Sequence, residues 1–224
     1  MKLVYEGKTK NVYDLENGNY LMRLKDDATG KDGVFDPGMN TVGLSIEGLG
    51  RESLKMTKFF FGILTKKGIP NHFISCDIDK AEMTVKPAKH FGKGIEVVCR
   101  ERAVGSFHRR YGEYIEFGAK LPSVVEFTLK DDTREDPPIT KDILAALDIM
   151  TAEQYEEIKS LAVKVNAIVK DTLAEKGLEL YDIKYEFGLV GGKVTLIDEF
   201  SGGVMRVYKG NEWIQPMDLG KYLY

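Results

Sequence analysis

Charged and apolar side chains alternate through one segment of the chain, Asp182-Ile183-Lys184-Tyr185-Glu186-Phe187-Gly188. Successive side chains of a β-strand point to opposite faces of the sheet, so this pattern predicts a strand. The polar face then carries Asp182, Lys184 and Glu186, and the core face carries Tyr181, Ile183, Tyr185 and Phe187. Alternation alone fits equally well with a half-solvated strand whose charges pair across the sheet.

A glycine pair marks the turn that follows this strand. Gly191-Gly192-Lys193 is flanked by valines and is typical of a β-hairpin loop. A two-residue turn would set Asp198 opposite Tyr185, whereas a three-residue loop with a bulge would set it opposite Glu186. Two carboxylates that meet in this way are the usual protein ligands of a Mg²⁺-nucleotide. A Mg²⁺ site on Glu186 and Asp198 therefore predicts an odd-numbered loop or a bulged strand.

Composition excludes several classes of function. The 224 residues are enough for one large or two small lobes with sizeable cores. A formal charge of −3 and a pI near 5.8 argue against a nucleic-acid partner. Cys76 and Cys99 lack metal-site spacing, so we expect reduced thiols in a cytoplasmic protein. We find no signal peptide and no apolar stretch long enough to span a membrane, so we expect no membrane partner.

Changes in periodicity divide the first half of the chain into elements. Asn17-Gly18 predicts a hairpin, and the glycine-rich residues 30–50 predict a long mobile loop. Residues 51–67 predict a helix, and residues 73–100 return to strand-like sequence.

The best-marked helix lies in the second half. It begins with a capping box of Thr151 and Gln154 and ends at Gly177. Strands and helices are mixed without regular βαβ units, which predicts an α+β fold. A boundary between lobes is expected near Val85-Lys86-Pro87.

Two further segments have the chemistry of phosphate sites. In Glu6-Gly7-Lys8-Thr9-Lys10, a glycine allows close backbone approach and two lysines offset phosphate charge, although a lysine-rich hairpin end is the ordinary alternative. Arg100 ends an apolar strand, and Gly105-Ser106 begins a short helix whose N–H groups and hydroxyl suit a phosphate. An ordinary serine cap is the alternative here. We expect a solvated basic face from the neighbours Arg102, His108, Arg109 and Arg110.

These motifs carry a resemblance to a known family. Asp182-x-Lys184-Tyr185-Glu186-Phe187-Gly188 and Arg100-x-x-x-x-Gly105-Ser106 resemble the two signatures of the phosphoribosylaminoimidazole-succinocarboxamide synthase (SAICAR synthetase) family. Three more segments are similar in order and spacing: Tyr5-Glu6-Gly7-Lys8-Thr9-Lys10, Lys130-Asp131-Asp132 with Asp136-Pro137, and Asp198-Glu199-Phe200-Ser201. Five ordered motifs are far more specific than any one of them.

The resemblance implies a two-lobed α+β fold of mainly antiparallel sheets with helices and an ATP cleft between the lobes. Residues 1–85 would form a β-rich lobe with a phosphate-covering loop, and residues 86–224 an α+β lobe with the metal and substrate sites. The implied reaction is ATP-dependent amide formation between carboxyaminoimidazole ribonucleotide (CAIR) and L-aspartate, which gives SAICAR, ADP and phosphate in purine biosynthesis. The family is usually oligomeric, so a homo-oligomer is expected.

The resemblance also assigns roles at the nucleotide. Mg²⁺ on Glu186 and Asp198 would neutralise the β- and γ-phosphates of ATP, with assistance from Lys8 and Lys10. The pair Val85-Lys86 lies where the interlobe segment of the family meets adenine.

A second set of roles concerns the substrates. Arg100 and Ser106 would hold the ribotide phosphate, and Arg206 would contact a substrate anion. Lys184 would stabilise charge on the transferred group. Asp182 would orient that group or accept a proton.

Departures from the family pattern lie in the substrate half. Gly202-Gly203 stands where the family has Pro-Asp, which removes an acid and predicts a more flexible loop. Gly48-Leu49-Gly50-Arg51-Glu52-Ser53 replaces a segment with a lysine and paired asparagines. The C-terminal helix common in the family is expected to be absent.

Three functions remain open. A divergent SAICAR synthetase is favoured because the predicted phosphate and metal pairs are both present. A paralogous ATP-dependent ligase, acting on a related carboxylated ribotide or a different amine, is supported by Leu49 and Gly202-Gly203. A non-catalytic nucleotide-binding protein is disfavoured, because such a protein has no physical need to keep Lys184, Glu186 and Asp198.

Overall fold

The computed structural model describes residues 1–224. The strands are β1 (Lys2–Glu6), β2 (Lys10–Asp14), β3 (Tyr20–Leu24), β4 (Asp27–Lys31), β5 (Val34–Phe35), β6 (Val42–Ser45), β7 (Phe73–Asp77), β8 (Glu82–Val85), β9 (Lys89–His90), β10 (Ile95–Arg102), β11 (Lys120–Leu129), β12 (Glu179–Val190), β13 (Lys193–Ile197), β14 (Met205–Lys209) and β15 (Glu212–Ile214). The helices are α1 (Leu49–Lys66), α2 (Gly105–Tyr111), α3 (Lys141–Ala146), α4 (Ala152–Ala174) and α5 (Pro216–Leu223). Antiparallel sheets mixed with helices confirm the predicted α+β class.

The first sheet contains β1, β2, β3, β8 and β7 in that spatial order. Its strands β2 and β3 form the hairpin predicted at Asn17-Gly18, where Gly18 has a φ of 85°. The chain leaves this sheet after Val85, and β9 already pairs with β12 of the second sheet. This change of sheet lies at the predicted boundary, and we retain residues 1–85 and 86–224 as the proposed division into lobes.

The second sheet is built around β12, which is twelve residues long. One side of β12 pairs with β10 and then β9, and the other side pairs with β14 and then β13. Strands β11 and β15 complete the sheet beyond β10 and β14. The strand with the alternating charges is therefore the central strand of the larger sheet.

The main core lies between the second sheet and the helices α1 and α4. Ile183, Tyr185 and Phe187 belong to it, as the alternation predicts. Helix α4 begins with the predicted capping box of Thr151 and Gln154. Its buried stripe consists of Ile158, Ala162, Val165, Val169 and Leu173. Burial of this stripe is what holds the long helix against the sheet.

Tyr181 does not join the core face as predicted. The register of β12 against β14 shifts between Leu180 and Asp182, so Tyr181 is the extra residue of a β-bulge. Its ring stacks on Tyr208 with the ring centroids 3.8 Å apart. Because a bulge offsets the alternation by one residue, Leu180 takes the core position instead.

The glycine-rich residues 30–50 are not the long mobile loop that we predicted. They contain a small sheet in which β4 lies between β5 and β6. A Cβ atom on Gly43 would lie 2.3 Å from the carbonyl carbon of Gly30, so the two backbones approach more closely than any side chain allows. The glycines here serve close strand packing, which composition alone does not distinguish from mobility.

The turn between β12 and β13 has two residues, so of the two predicted alternatives, an odd-numbered loop or a bulged strand, the first is wrong. Gly191 and Gly192 have φ values of 56° and 81°, as a type I′ turn requires. In the resulting register Ile197, the last residue of β13, stands opposite Glu186. Asp198 lies one residue beyond the ladder.

The C-terminal segment forms a helix, α5, although we expected none. The helix begins at Pro216 and packs near α1. The hydroxyl of Tyr224 donates a hydrogen bond to Glu52 Oε1 at 2.6 Å.

A membrane-spanning helix, which must be both long and apolar, is not found in the structure.

Candidate active site

The polar face of β12 borders two adjoining cavities, with Asp182 and Glu186 buried and the Lys184 side chain 31% exposed. The first cavity is lined by Lys10 and Glu186 from opposite sheets, so it lies in the cleft between the proposed lobes. The second cavity is lined by Arg100 and Asp182. Lys184 lines both.

The first cavity contains a lysine–carboxylate cluster formed by Lys10, Lys130, Glu186, Asp198 and Glu199. Lys10 forms an ion pair with Asp198, and its Nζ lies 2.5 Å from Glu199 Oε2. Lys130 Nζ lies 2.7 Å from Glu186 Oε1. The structure thus brings together three residues that the sequence predicted for one site, Lys10, Glu186 and Asp198.

Asp198 reaches this cluster through a change of backbone direction that we call the elbow, residues 198–200. Asp198 has a φ of 74°, which lies in the left-handed region that non-glycine residues rarely adopt. A regular strand would have continued to a position opposite Tyr185, on the core face. The elbow therefore has the effect predicted for a bulge, because it moves Asp198 from the core face to the face that carries Glu186.

Burial and mutual repulsion set the charges of the cluster. Burial raises the pKa of Glu186, and the charge of Asp198 raises it further. Burial also raises the pKa of Glu199 to about 7, again with a contribution from Asp198. Burial opposes ionisation of Asp198, but the charges of Lys10 and Lys130 and the hydrogen bond with Glu199 together hold the pKa of that carboxyl well below its usual value. Burial likewise disfavours the charged form of Lys10, yet Asp198 and Glu199 raise the pKa of the lysine well above its usual value.

The chemistry of this cluster fits a hard divalent cation that also binds phosphate. Burial first and the charge of Asp198 second raise the pKa of Glu186, although Lys130 lies beside it, so a further cation here would favour the ionised carboxylates. Mg²⁺ commonly takes one or two protein carboxylates and completes its shell with phosphate oxygens and water. No group of three or more His, Cys, Asp or Glu residues has the arrangement of a metal site built from protein ligands alone.

The second cavity contains an arginine cluster formed by Arg100, Ser106, Asp182 and Arg206. Asp182 Oδ2 lies 3.0 Å from Arg100 Nη1 and 2.8 Å from Arg206 Nη1. The side chains of Arg100 and Asp182 are only 3% and 4% exposed. Both arginines stand opposite Asp182 in the ladders of β10 and β14. The structure thus brings together the predicted Arg100, Ser106 and Arg206 and places Asp182 between the guanidiniums.

Ser106 is not the ordinary helix cap of the alternative reading. The N-cap of α2 is Val104, and no side chain caps that helix. Instead, the Ser106 hydroxyl accepts a hydrogen bond from Arg100 Nη2 at 2.9 Å. An arginine and a hydroxyl that already meet at a cavity wall are suited to an anion.

Lys184 lies between the two clusters. Its Nζ is 2.7 Å from Glu96 Oε1, on the neighbouring strand β10. Burial would lower the pKa of Lys184, but the charges of Glu96 and Glu186 outweigh burial and raise it. The ammonium group is therefore charged at neutral pH, as its predicted role requires.

Of the other residues predicted to bind the nucleotide, one lines the first cavity and two do not. Lys8 lines the first cavity, where its Nζ is 2.7 Å from Asp132 Oδ1. Val85 is buried in the core of the first sheet, and Lys86 donates its backbone N–H to the carbonyl of His72 at 2.8 Å. Neither Val85 nor Lys86 lines either cavity.

Sequence reasoning missed several residues of the two cavities. Lys130 and Glu199 lie within segments that resemble the family, but their roles depend on contacts with distant residues. Glu96 stands opposite Glu186 in the ladder, which only the pairing of β10 with β12 reveals. Asp36 lies 170 positions from its partner Arg206, with 2.6 Å between Oδ1 and Nη2.

Arg109 was expected to be a solvated surface residue, yet it lines the second cavity. Arg100 and Arg206 each lie within hydrogen-bond distance of a carboxylate. Arg109 Nη1 is 3.9 Å from the Oδ2 of Asp36, and its side chain is 50% exposed. Its guanidinium is consequently the most available of the three to an incoming anion.

The Gly202-Gly203 turn is packed, so the predicted flexibility is wrong. The Ser201 hydroxyl accepts the Gly203 N–H at 3.1 Å and caps a short 3₁₀ turn. A Cβ atom on Gly202 would lie 2.8 Å from Pro216 Cα. The first glycine is therefore required by the close approach of α5.

The raised pKa of Glu199 predicts a pH-dependent stability of the ligand-free protein. The folded state keeps a proton on Glu199 up to about pH 7, whereas the unfolded chain releases it near the ordinary value of 4.5. The folded state binds more protons between these values, so the free energy of unfolding should fall as pH rises through that range. Urea unfolding at about pH 5 and about pH 7.5 measures the fall, which Glu199→Gln should reduce. An unchanged fall in the variant would assign it to other groups.

Fold and site together define a class of protein: an α+β protein whose cleft has buried lysines, arginines and carboxylates in its wall, a lining suited to anionic ligands. Residues 3–219 match the family described as SAICAR synthetase. The phosphoribosylaminoimidazole-succinocarboxamide synthase of Clostridium tetani (strain Massachusetts / E88) is 55% identical, with 100% of this chain and 99% of that relative covered. The chain belongs to the SAICAR synthetase family.

Solved structures agree with this membership. A phosphoribosylaminoimidazole-succinocarboxamide synthase from Ehrlichia chaffeensis gives a TM-score of 0.84 at 28% identity, with 99% of this chain and 90% of that chain covered. A SAICAR synthetase in complex with ADP gives a TM-score of 0.80 at 32% identity, with coverages of 92% and 83%. The predicted family and fold are confirmed.

Proposed function

We propose that the chain joins the carboxylate of CAIR to the amine of L-aspartate at the expense of ATP, giving SAICAR, ADP and phosphate in purine biosynthesis. The observation that carries this function is the adjacency of the two clusters, with Lys184 lining both cavities. One cavity suits a metal-bound polyphosphate and the other a phosphorylated substrate. Their shared wall is where a phosphoryl group would pass from one ligand to the other. Family membership and the ADP complex of a relative support the same reaction.

The nucleotide would occupy the first cavity. Lys8 and Lys10 would contact its phosphates, and Glu186 and Asp198 would hold Mg²⁺. Mg²⁺, when bound, supplies positive charge that offsets the charge of the β- and γ-phosphates. A contact of Val85-Lys86 with the adenine ring remains a prediction, because neither residue lines the first cavity.

The ribotide would occupy the second cavity, with its phosphate held by Arg100, Ser106 and Arg206. Asp182 already holds the guanidinium groups of Arg100 and Arg206 in place, so their orientation needs to change little when the phosphate binds. This contact supports a role for Asp182 in orienting the two arginines. Its predicted roles, to orient the transferred group or to accept a proton, remain predictions.

The chemistry begins with a poor electrophile, because a carboxylate resists attack by an amine. A carboxylate oxygen of CAIR would attack the γ-phosphorus of ATP, and the bond from that phosphorus to the bridging oxygen of ADP would break. The amine of aspartate would then attack the acyl carbon, lose a proton and expel phosphate. Lys184 would stabilise negative charge on the transferred group, for which its charged ammonium at the wall between the cavities is suited.

A second function remains in competition with this one. Gly202-Gly203 lacks the acid of the family pattern, which supports a paralogous ligase that uses a different amine or a related carboxylated ribotide. A non-catalytic nucleotide-binding protein would bind ATP without turnover. We further propose a cytoplasmic location and a homo-oligomeric state.

The test is to incubate the protein with ATP, Mg²⁺, CAIR and one amine at a time, and to identify products by mass. SAICAR formed with L-aspartate, together with ADP, is the expected result. ADP released only with another amine would favour the paralogous ligase. ATP binding without ADP release under any condition would favour the non-catalytic protein.

Arg109→Gln is expected to raise the KM for CAIR about tenfold. A hydrogen bond from one guanidinium to a bound anion contributes about 1.4 kcal/mol to the binding free energy. The KM for ATP should change less than about twofold, since Arg109 does not line the first cavity. Steady-state kinetics with each substrate varied in turn measure both values. The matched control is Arg102→Gln, which removes a nearby arginine that pairs with Glu179 outside both cavities. Equal KM values for CAIR in the two variants would contradict the proposal that Arg109 contacts the ribotide in the second cavity.

A further inference from the structure

We propose that His72 is a positioning residue, which holds Asp198 in the left-handed conformation that directs its carboxylate into the lysine–carboxylate cluster. The proposal rests on the proposed function, in which Asp198 is a ligand of the Mg²⁺-nucleotide. His72 itself lines neither cavity. Its action on the nucleotide would therefore pass through Asp198 alone.

The contact is a buried hydrogen bond from a side chain to the backbone. His72 is 3% exposed, and its Nε2 lies 3.1 Å from the carbonyl oxygen of Asp198. A carbonyl oxygen only accepts, so Nε2 carries the hydrogen atom and donates it. The ring of Phe61 packs edge-on against the imidazole with the centroids 5.9 Å apart, which restricts its rotation.

Asp198 needs such support because its backbone is strained. A non-glycine residue at a φ of 74° persists only where the surrounding structure holds it. The other end of the elbow is held in the same manner, since the Thr57 hydroxyl accepts the N–H of Phe200 at 3.0 Å. Two side chains from outside the second sheet thus fix both ends of the elbow.

The main chain of His72 has separate contacts. Its N–H donates to Leu196 at 3.1 Å, and its carbonyl accepts from Lys86 at 2.8 Å. A side-chain substitution keeps these bonds, which hold the interlobe segment. The effect of the imidazole on Asp198 can therefore be measured apart from the effect of the backbone.

The experiment measures ADP binding by calorimetry, with and without Mg²⁺, for the unaltered chain and for His72→Leu and His72→Gln. We expect His72→Leu to weaken binding of Mg²⁺-ADP about tenfold, as loss of one buried hydrogen bond implies. Binding of ADP without Mg²⁺ should weaken less than this, because Asp198 then acts on the phosphates only through its ion pair with Lys10. His72→Gln keeps an N–H donor of similar reach and should restore Mg²⁺-ADP binding to within about threefold.

Two results would overturn the proposal: unchanged Mg²⁺-ADP binding in His72→Leu, or an equal loss with and without Mg²⁺, which indicates a general structural defect. If the leucine variant does not fold, His72→Asn makes the same comparison, because its amide is too short to reach the carbonyl. The unaltered chain separates the two hypotheses. If the unaltered chain does not bind Mg²⁺-ADP, the proposed function is overturned. If the unaltered chain and His72→Leu bind Mg²⁺-ADP equally well, only the role of His72 is overturned.

Discussion

Replacing Glu186 by glutamine is expected to lower kcat for SAICAR formation about a thousandfold, equivalent to about 4 kcal/mol of transition-state stabilisation. The variant keeps the shape of the side chain but replaces a buried carboxylate with a neutral amide. Lys130, 2.7 Å from Glu186 Oε1, loses its charge partner, and the proposed Mg²⁺ site loses one of its two anionic ligands. Steady-state turnover at saturating substrates measures the loss.

The matched control is Glu179→Gln on the same strand. Glu179 is exposed, pairs with Arg102 and lines neither cavity, so its kcat should stay within about twofold of the unaltered value. Circular dichroism on both variants excludes a loss of fold. A Glu186→Gln enzyme that keeps more than about a tenth of its turnover would remove Glu186 from the phosphoryl-transfer site.

Replacing Asp182 by leucine is expected to lower the free energy of unfolding by about 3 to 5 kcal/mol. Asp182 is the shared carboxylate of Arg100 and Arg206, whose side chains are 3% and 10% exposed. Removing it leaves two buried guanidiniums with less compensation than burial requires. Arg100 still pairs with Glu126 and Arg206 with Asp36, so the protein should remain folded in the absence of denaturant.

Urea unfolding measures this change, with Asp218→Ala as the control. Asp218 pairs with Lys221 on the exposed surface of α5, and such pairs contribute less than about 1 kcal/mol. Asp182→Leu should therefore destabilise the protein several-fold more than Asp218→Ala. If the two variants lose a similar amount of unfolding free energy, water compensates the charges of the arginines and the arginine cluster is not preorganised.

The sequence predicted the features that depend on local periodicity and capping. The alternation correctly predicted the core face of β12, with Ile183, Tyr185 and Phe187. The capping box at Thr151 was also predicted correctly. Family motifs brought Arg100, Ser106 and Arg206 into one prediction, and the structure brings those side chains together. Such features are set by neighbours in sequence or by motifs with fixed spacing.

Features that depend on backbone exceptions or on distant pairing were not predictable in this way. The left-handed φ of Asp198 has no local signal, because alternation describes only a regular strand. Tyr181 left its predicted face through a bulge that depends on the partner strand β14. Glu96 is recognised only once β10 is known to lie beside β12. Strand register between distant segments is a property of the whole sheet.

Glycine was the least informative residue in the sequence. Residues 30–50 and Gly202-Gly203 were both interpreted as mobile, yet both are sites of close backbone packing. A missing side chain permits either outcome, and only the neighbours in space decide between them.

In the proposed reaction, ATP activates the carboxylate of CAIR for attack by L-aspartate at the wall that the two cavities share. The most direct test follows oxygen atoms: CAIR labelled with ¹⁸O in its carboxylate is converted with unlabelled ATP, and the phosphate and SAICAR are analysed by mass. Because one carboxylate oxygen attacks the γ-phosphorus and leaves with it, we expect one labelled oxygen in phosphate and one in the new amide carbonyl. Phosphate free of label, or ADP release without SAICAR, would contradict the proposed reaction.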